Sequence, residues 1–331
     1  MPKHFHFRSP SRSLSLSMAA AAALSLLAMS TAHADGERIA VFTKNQTNPY
    51  FQALRQGADA AAKDLNAKVT HYIPTKPDSI PEQMSQIEDV IIKKADAVVF
   101  VPVDYKAMGP GVKKINAANI PVVNVTDRSE VGNFVAFVGA SDYELGLKTA
   151  THLFKAMGGK GNLILLEGVK GSATSIDRTR GVRDALKAFP NIKLVASQPA
   201  NYQRLQALQV MENLMQSYPQ IDAVFAANDA MAIGAIEALQ GANRKALVSG
   251  INGTKEAIDA IKAGTLLATG DYNGFIQGCL GTMTAIRKLR NQPVKTEIVL
   301  PATVIDKTNY QAVDIPADKR TCPRWEDVDK A

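Results

Sequence analysis

The sequence predicts an α/β protein built from two parallel-sheet units. Three observations lead there. Short, uncharged, β-branched runs alternate with stretches whose apolar residues recur every three or four positions. That alternation starts afresh after Gly139. The chain has 331 residues, which at roughly 100–200 residues per domain suggests two domains. Strands that are apolar throughout, rather than alternating, belong to sheets covered by helices on both faces.

Taken in order, Ile39 to Phe42 reads as a buried strand. Phe51, Leu54, Ala58, Ala61 and Leu65 then line one face of a helix. Val69 to Ile73 is the next strand, and Ile80, Met84, Ile87 and Ile91 mark the next helix. Asp96 to Pro102 is a strand stopped by proline. A helix near 106–118 and a strand from Pro121 to Val125 complete the first unit. The second unit has strands at 162–166, 193–196, 223–226, 246–249 and 266–269. Its helices fall near 142–157, 174–188, 203–217, 229–240 and 254–263, and a last helix runs over about 274–290.

Residues 1–34 do not belong to this pattern. Lys3, Arg8 and Arg12 form a basic stretch without acids, Leu14 to Met29 carries no charge, and Ala32-His33-Ala34 is an A-x-A cleavage signal. Together these are the parts of a secretory signal peptide cleaved after Ala34; an uncleaved N-terminal anchor is the alternative. The apolar core is shorter than the roughly 20 residues a spanning helix needs. Cleavage would reduce the formal charge of +7 to +4, with no basic stripe for nucleic acid. Of the five histidines, only His71 and His152 would remain, too far apart in sequence to suggest a metal site. The two cysteines allow one pairing, Cys279–Cys322, which an oxidising compartment would keep closed; two free thiols are the alternative. A bond there would close a loop of about 44 residues, contributing about 2–4 kcal/mol.

Open parallel sheets bind ligands beyond the C-terminal ends of their strands. Those positions hold Asn48-Pro49-Tyr50-Phe51, Thr126-Asp127-Arg128, Asp177-Arg178-Thr179-Arg180-Gly181, Asn201-Tyr202, Asn228-Asp229, Asn252-Gly253-Thr254 and Asp271-Tyr272-Asn273. Amides, carboxylates, guanidinium groups and aromatic rings together suit a neutral polyhydroxylated ligand, whose hydroxyls both donate and accept. Asp127, Arg128 and Arg178 would make the charge-assisted bonds. Tyr50, Phe51 and Tyr202 would cover the C–H faces of a small ring. Each residue also has a purely structural reading: Asn48, Asn228 and Asn252 as helix caps, Tyr50 and Phe51 as core. No Gly-x-Gly-x-x-Gly follows the first strand, and there is no phosphate-binding loop, nucleophile elbow or H-E-x-x-H. An enzyme would have to work with a carboxylate pair such as Asp127 and Asp271, set across a scissile bond.

With these segments in view, the chain resembles the periplasmic sugar-binding proteins of ABC transporters, of the ribose-binding type, over about 37–305. The resemblance rests on Asn48 to Phe51, Thr126 to Arg128, Arg178 to Gly181, Gln198-Pro199-Ala200, Phe225 to Ala232 and Asn252 to Thr254. It implies two Rossmann-like parallel-sheet lobes joined by three crossover strands. Residues 37–140 with 273–301 would form the N-terminal lobe, and 141–272 with 302–331 the C-terminal lobe and tail. Asn48, Tyr50, Phe51, Asp127 and Arg128 would be the first lobe's ligand contacts. Arg178, Tyr202, Asn228 and Asn252 would be the second lobe's. Asn252 stands where the family has a carboxylate, and Tyr272 where it has an amide near the hinge. Both departures point away from ribose itself, toward another pentose, a deoxy sugar or a small polyol, with a furanose-like signal as a further alternative. The resemblance also implies a periplasmic monomer that needs no cofactor and performs no catalysis. Its partner is an inner-membrane ABC permease, with a chemoreceptor as a further partner. A repressor effector domain shares the fold but carries a DNA-binding helix-turn-helix where this sequence has its apolar leader.

Overall fold

The computed structural model describes residues 1–4 and 36–328. Most of the expected targeting segment, including its cleavage position, lies outside the described residues. From Glu37 onward the chain forms two six-stranded sheets.

The first sheet contains β1 (Arg38–Phe42), β2 (Lys68–Tyr72), β3 (Ala97–Phe100), β4 (Val122–Val125), β5 (Ala136–Ala140) and β11 (Glu297–Leu300), in the order β11-β5-β4-β3-β1-β2. All its pairings are parallel. The second contains β6 (Lys160–Glu167), β7 (Asn191–Pro199), β8 (Ala223–Ala226), β9 (Leu247–Ile251), β10 (Ala268–Asp271) and β12 (Thr303–Asp306), in the order β12-β10-β9-β8-β6-β7. Only β12 runs antiparallel, against β10.

Side chains alternate across each strand, so every strand feeds two cores. Ile39 and Val41 pack with α1 (Pro49–Asp64) and α9 (Gly274–Leu289), while Ala40 and Phe42 pack with α2 (Ile80–Ile92) and α3 (Gly109–Ala117). In the second sheet, Leu163 and Leu165 meet α4 (Asp142–Ala156) and α5 (Ala173–Leu186). Ile164 and Leu166 meet α6 (Arg204–Ser217), α7 (Asp229–Gly241) and α8 (Lys255–Ala263). Helices α1 and α9 touch backbone to backbone. A Cβ on Gly57 would lie 1.9 Å from the Phe275 carbonyl oxygen, and one on Gly278 would lie 1.9 Å from that of Leu54.

The chain passes between the sheets three times: after β5, between β10 and α9, and between β11 and β12. Strands β5, β11 and β12 are absent from the periodicity reading. Ala136–Ala140 contains Gly139, and β11 and β12 are four-residue strands at sheet edges with mixed burial. The expected Cys279–Cys322 bond is formed, and it changes the place of the tail. β12 joins the second sheet, but Cys322 is held on α9, and in α10 (Trp325–Val328) Trp325 lies against Arg287 and the Val328 carbonyl accepts from Lys295. Residues 302–328 therefore do not belong to the second lobe alone.

Candidate functional site

The C-terminal ends of the two sheets face each other across one cavity. On the first lobe, Asn48 caps α1 by accepting from the Tyr50 amide at 3.0 Å. Its own amide donates to Asn45 Oδ1 at 3.0 Å. Tyr50 and Phe51 follow in the first turn, edge to face at 5.2 Å. The Tyr50 hydroxyl lies 2.9 Å from Thr126 Oγ1 and 2.9 Å from Gln277 Oε1. Thr126 leaves β4 with a φ of 68°, a left-handed backbone held here by its neighbours. Asp127 follows, buried, with Oδ2 2.7 Å from Lys44 Nζ. Its Oδ1 accepts from the Thr174 hydroxyl of the opposite lobe. Burial alone would depress the Lys44 ammonium, but the Asp127 and Asp78 carboxylates outweigh it and raise its pKa.

On the second lobe the centre is Arg178 in α5, 2% exposed. Its height is set by the close seating of α4 on α5, since a Cβ on Gly146 would come within 2.3 Å of the Arg178 carbonyl. Nε donates to Asp142 Oδ1 at 2.8 Å. Nη1 donates to the Ala227 carbonyl at 2.6 Å and to Asn252 Oδ1 at 3.3 Å. The guanidinium lies 4.6 Å from the Tyr272 ring centre. Burial pushes Asp142 up to about 6, against the pull of Arg178. Burial opposes the Arg178 charge, yet Asp142 more than offsets it and its pKa rises. The Tyr272 hydroxyl sits between the Thr126 carbonyl (3.0 Å) and Asp142 Oδ2 (3.1 Å). It therefore ties the second crossover to both lobes.

Tyr202 enters on a left-handed turn, with φ of 53° at Asn201 and 60° at Tyr202. Its ring occupies the space a side chain at Gly168 would fill, 2.1 Å from Cζ. The Tyr202 hydroxyl is buried without a well-aligned partner, and burial raises its pKa. Asn228 caps α7 through the Met231 amide at 2.9 Å and donates to the Tyr202 carbonyl at 3.2 Å. Asn252 does not cap α8; Thr254 does.

Nine of the ten expected residues line this one cavity: Asn48, Tyr50, Phe51, Asp127, Arg178, Tyr202, Asn228, Asn252 and Tyr272. Its volume is about 80 Å³, against roughly 10–15 Å³ for one water on the same measure, so it accommodates a small polar molecule. Lys44, Asp78, Asp142 and Thr174 also shape the site or hold its charged groups and were not among the expected contacts. Lys44 had a signal, since it stands two residues beyond the first strand. The others acquire their roles only through tertiary contacts.

Arg128 is the exception. It is about half exposed, pairs with Glu297 and lies 3.8 Å over the Phe137 ring. Glu297 and Phe137 are register partners on β11 and β5. The two strands thus present a carboxylate and an aromatic face side by side, which hold the guanidinium outside the cavity. Asp271 also points elsewhere. It accepts from the Asn273 amide at 2.9 Å and lines a separate cavity beside the second crossover, so Asp127 and Asp271 do not flank one ligand. Among the described residues, no group of three or more His, Cys, Asp or Glu is placed to hold a metal ion. No helix among them is long and apolar enough to cross a membrane.

Comparison with known proteins agrees with this architecture. Residues 39–293 match the periplasmic binding protein domain. The ribose import binding protein of Haemophilus influenzae is 31% identical over 281 residues, covering 85% of this chain and 95% of that protein. The xylitol-binding protein of Mycolicibacterium smegmatis is 30% identical over 282 residues, covering 85% and 80%. The solved structure of an ABC transporter periplasmic solute-binding protein from Actinobacillus succinogenes, with bound D-allose, superposes with a TM-score of 0.80 at 33% identity, covering 83% and 99%. The chain belongs to the periplasmic binding protein family, in its type I branch of sugar-binding proteins of ABC transporters.

Proposed function

We propose that this protein is the solute-binding component of an ABC-type importer. It captures one neutral polyhydroxylated molecule between its lobes, a pentose-like monosaccharide or a small polyol, and delivers it to an inner-membrane permease. The observation that carries this reading is the cavity's charge balance. Both buried cations already have carboxylate partners, Lys44 with Asp127 and Arg178 with Asp142. An anionic ligand would have to compete with these carboxylates for a cation and would face Asp78 on the same wall, at a cost that rises steeply in a buried site. Neutral hydroxyls instead use the remaining donors and acceptors on the same groups, while the ligand's C–H faces pack on Tyr50, Phe51 and Tyr202. Ribose, xylitol and D-allose, named for the relatives, are molecules of this kind.

Contacts from both lobes favour the closed arrangement, in which Thr174 donates to Asp127 across the cleft. A sugar lacking one hydroxyl leaves a buried group unpaired and is rejected. Export through a signal peptide cleaved after Ala34, residence in the periplasm as a monomer, and the absence of catalysis belong to the same reading. A thermal-shift screen of pentoses, hexoses, deoxy sugars and polyols tests it. A ligand at 100 times its Kd stabilises the folded state by about 2.7 kcal/mol, and it is recovered unchanged after incubation. No shift with any compound of this class, or conversion of the bound one, would overturn the reading.

A further inference from the structure

The tail beyond β12 is anchored on both lobes, which neither the expected domain division nor the ligand site explains. On the second lobe, Lys307 Nζ donates to the Lys262 carbonyl at 2.7 Å, and Asp314 pairs with Lys262 at 2.7 Å. Tyr310 and Val313 pack against the core around α6, α7 and α8. On the first lobe, Cys322 is bonded to Cys279 in α9. Trp325 is buried with Arg287 4.5 Å from its ring, and the Val328 carbonyl accepts from Lys295 at 2.6 Å. Only residues 315–321 separate the two anchorages. They border a cavity of about 490 Å³ whose other walls include Gln52 of α1, Asp271 and Lys255.

We propose that residues 307–328 form a strap, a fourth link between the lobes, which biases them toward the closed arrangement and thereby raises ligand affinity. Rotation of one lobe against the other must deform the seven-residue span or strip Tyr310 and Asp314 from α8, because the disulfide prevents release at the other end. These contacts coexist here with the cross-lobe Thr174–Asp127 bond, so they add to the stability of closure. Apparent affinity scales with the fraction of protein in the binding-competent state, and a link that enriches that fraction tightens binding without touching the ligand.

The affinity half of this inference rests on the proposed ligand-binding function, whereas the effect on lobe opening does not. Small-angle scattering of the ligand-free, oxidised protein is therefore compared with that of Cys279→Ser/Cys322→Ser. The variant is expected to scatter with a larger radius of gyration. Its affinity, read by calorimetry with the sugar or polyol identified by thermal shift, is expected to fall about three- to tenfold. If the double variant does not fold, Asp314→Asn/Lys262→Met, which keeps the disulfide, is measured in its place with the same expectation. An unchanged scattering profile in the folded variant overturns the strap. A widened profile with unchanged affinity overturns its role in binding.

Discussion

Arg128 follows the end of β4 and Arg178 lies in the second turn of α5, both beside the cleft and each with a carboxylate and an aromatic ring in contact. Arg178 is 2% exposed and engages Asp142, Ala227 and Asn252. Arg128 is about half exposed and engages Glu297 over Phe137. The chemistry of contact is similar, so the difference lies in solvent. A buried pair leaves a costly orphan when broken, whereas an exposed pair is worth about 0–1 kcal/mol. Residue type therefore says little about an arginine's role until its depth is known.

The largest effect expected is at Arg178. Arg178→Ala leaves Asp142 buried without its cation and removes donors from the cavity. It should lower affinity at least tenfold and stability by about 3 kcal/mol, read by calorimetry and urea unfolding. Affinity unchanged from the parent would remove Arg178 from the site and make the two arginines equivalent.

Asp142 offers a pH test of the same contrast. Its ordinary value of 3.8 is raised to about 6 in the folded protein. Between these values the folded state keeps a proton that the unfolded chain has released. The group's stabilising contribution is thus complete below about pH 4 and is lost as pH rises through 6. A shift of that size corresponds to about 3 kcal/mol at roughly 1.4 kcal/mol per pH unit. Asp142→Asn stays neutral, so its stability relative to the parent should climb by up to about 3 kcal/mol from pH 4 to pH 7. Asp229 and Asp271, also pushed to about 6 by burial, remain in both proteins and cancel. Denaturation midpoints at four pH values give the curve; a flat difference would mean that ionised Asp142 carries no burial cost.

A smaller change is expected at the first lobe's pair. Lys44→Met should weaken binding about tenfold, since breaking a charge-assisted bond costs about 1.5–3 kcal/mol. Asp127→Ala should do at least as much, because it also removes the acceptor for Thr174. Arg128→Ala is the counterpart control, with affinity within about twofold and stability within about 1 kcal/mol of the parent. A tenfold loss there would bring Arg128 into the ligand's reach and erase the distinction drawn above.

What the sequence disclosed follows the same line between local and distant causes. Ile39 to Phe42 and Ala223 to Ala226 are strands because local composition leaves no other burial, and the ligand-facing segments follow from where strands end. Asn48 and Asn228 cap their helices and also line the cavity, so the structural and functional readings were never exclusive. Arg128 lies outside this cavity through its pair with Glu297, 169 positions away, which no local pattern discloses. Asp142 went unremarked because an acid opening a helix is ordinary until a guanidinium is buried beside it. The tail's return to α9 became visible only through the Cys279–Cys322 bond.

The seating of α9 on α1 has a consequence in time. Gly278 rests on the Leu54 carbonyl and Gly57 on that of Phe275, and β11 closes the sheet that β1 begins. The lobe whose strands are synthesised first cannot cover the Leu54–Gly57 side of α1 with α9 until nearly the whole chain exists. Contacts so distant in sequence form slowly. Until α9 is made, the first lobe therefore lacks the helix that its Gly57 contact needs.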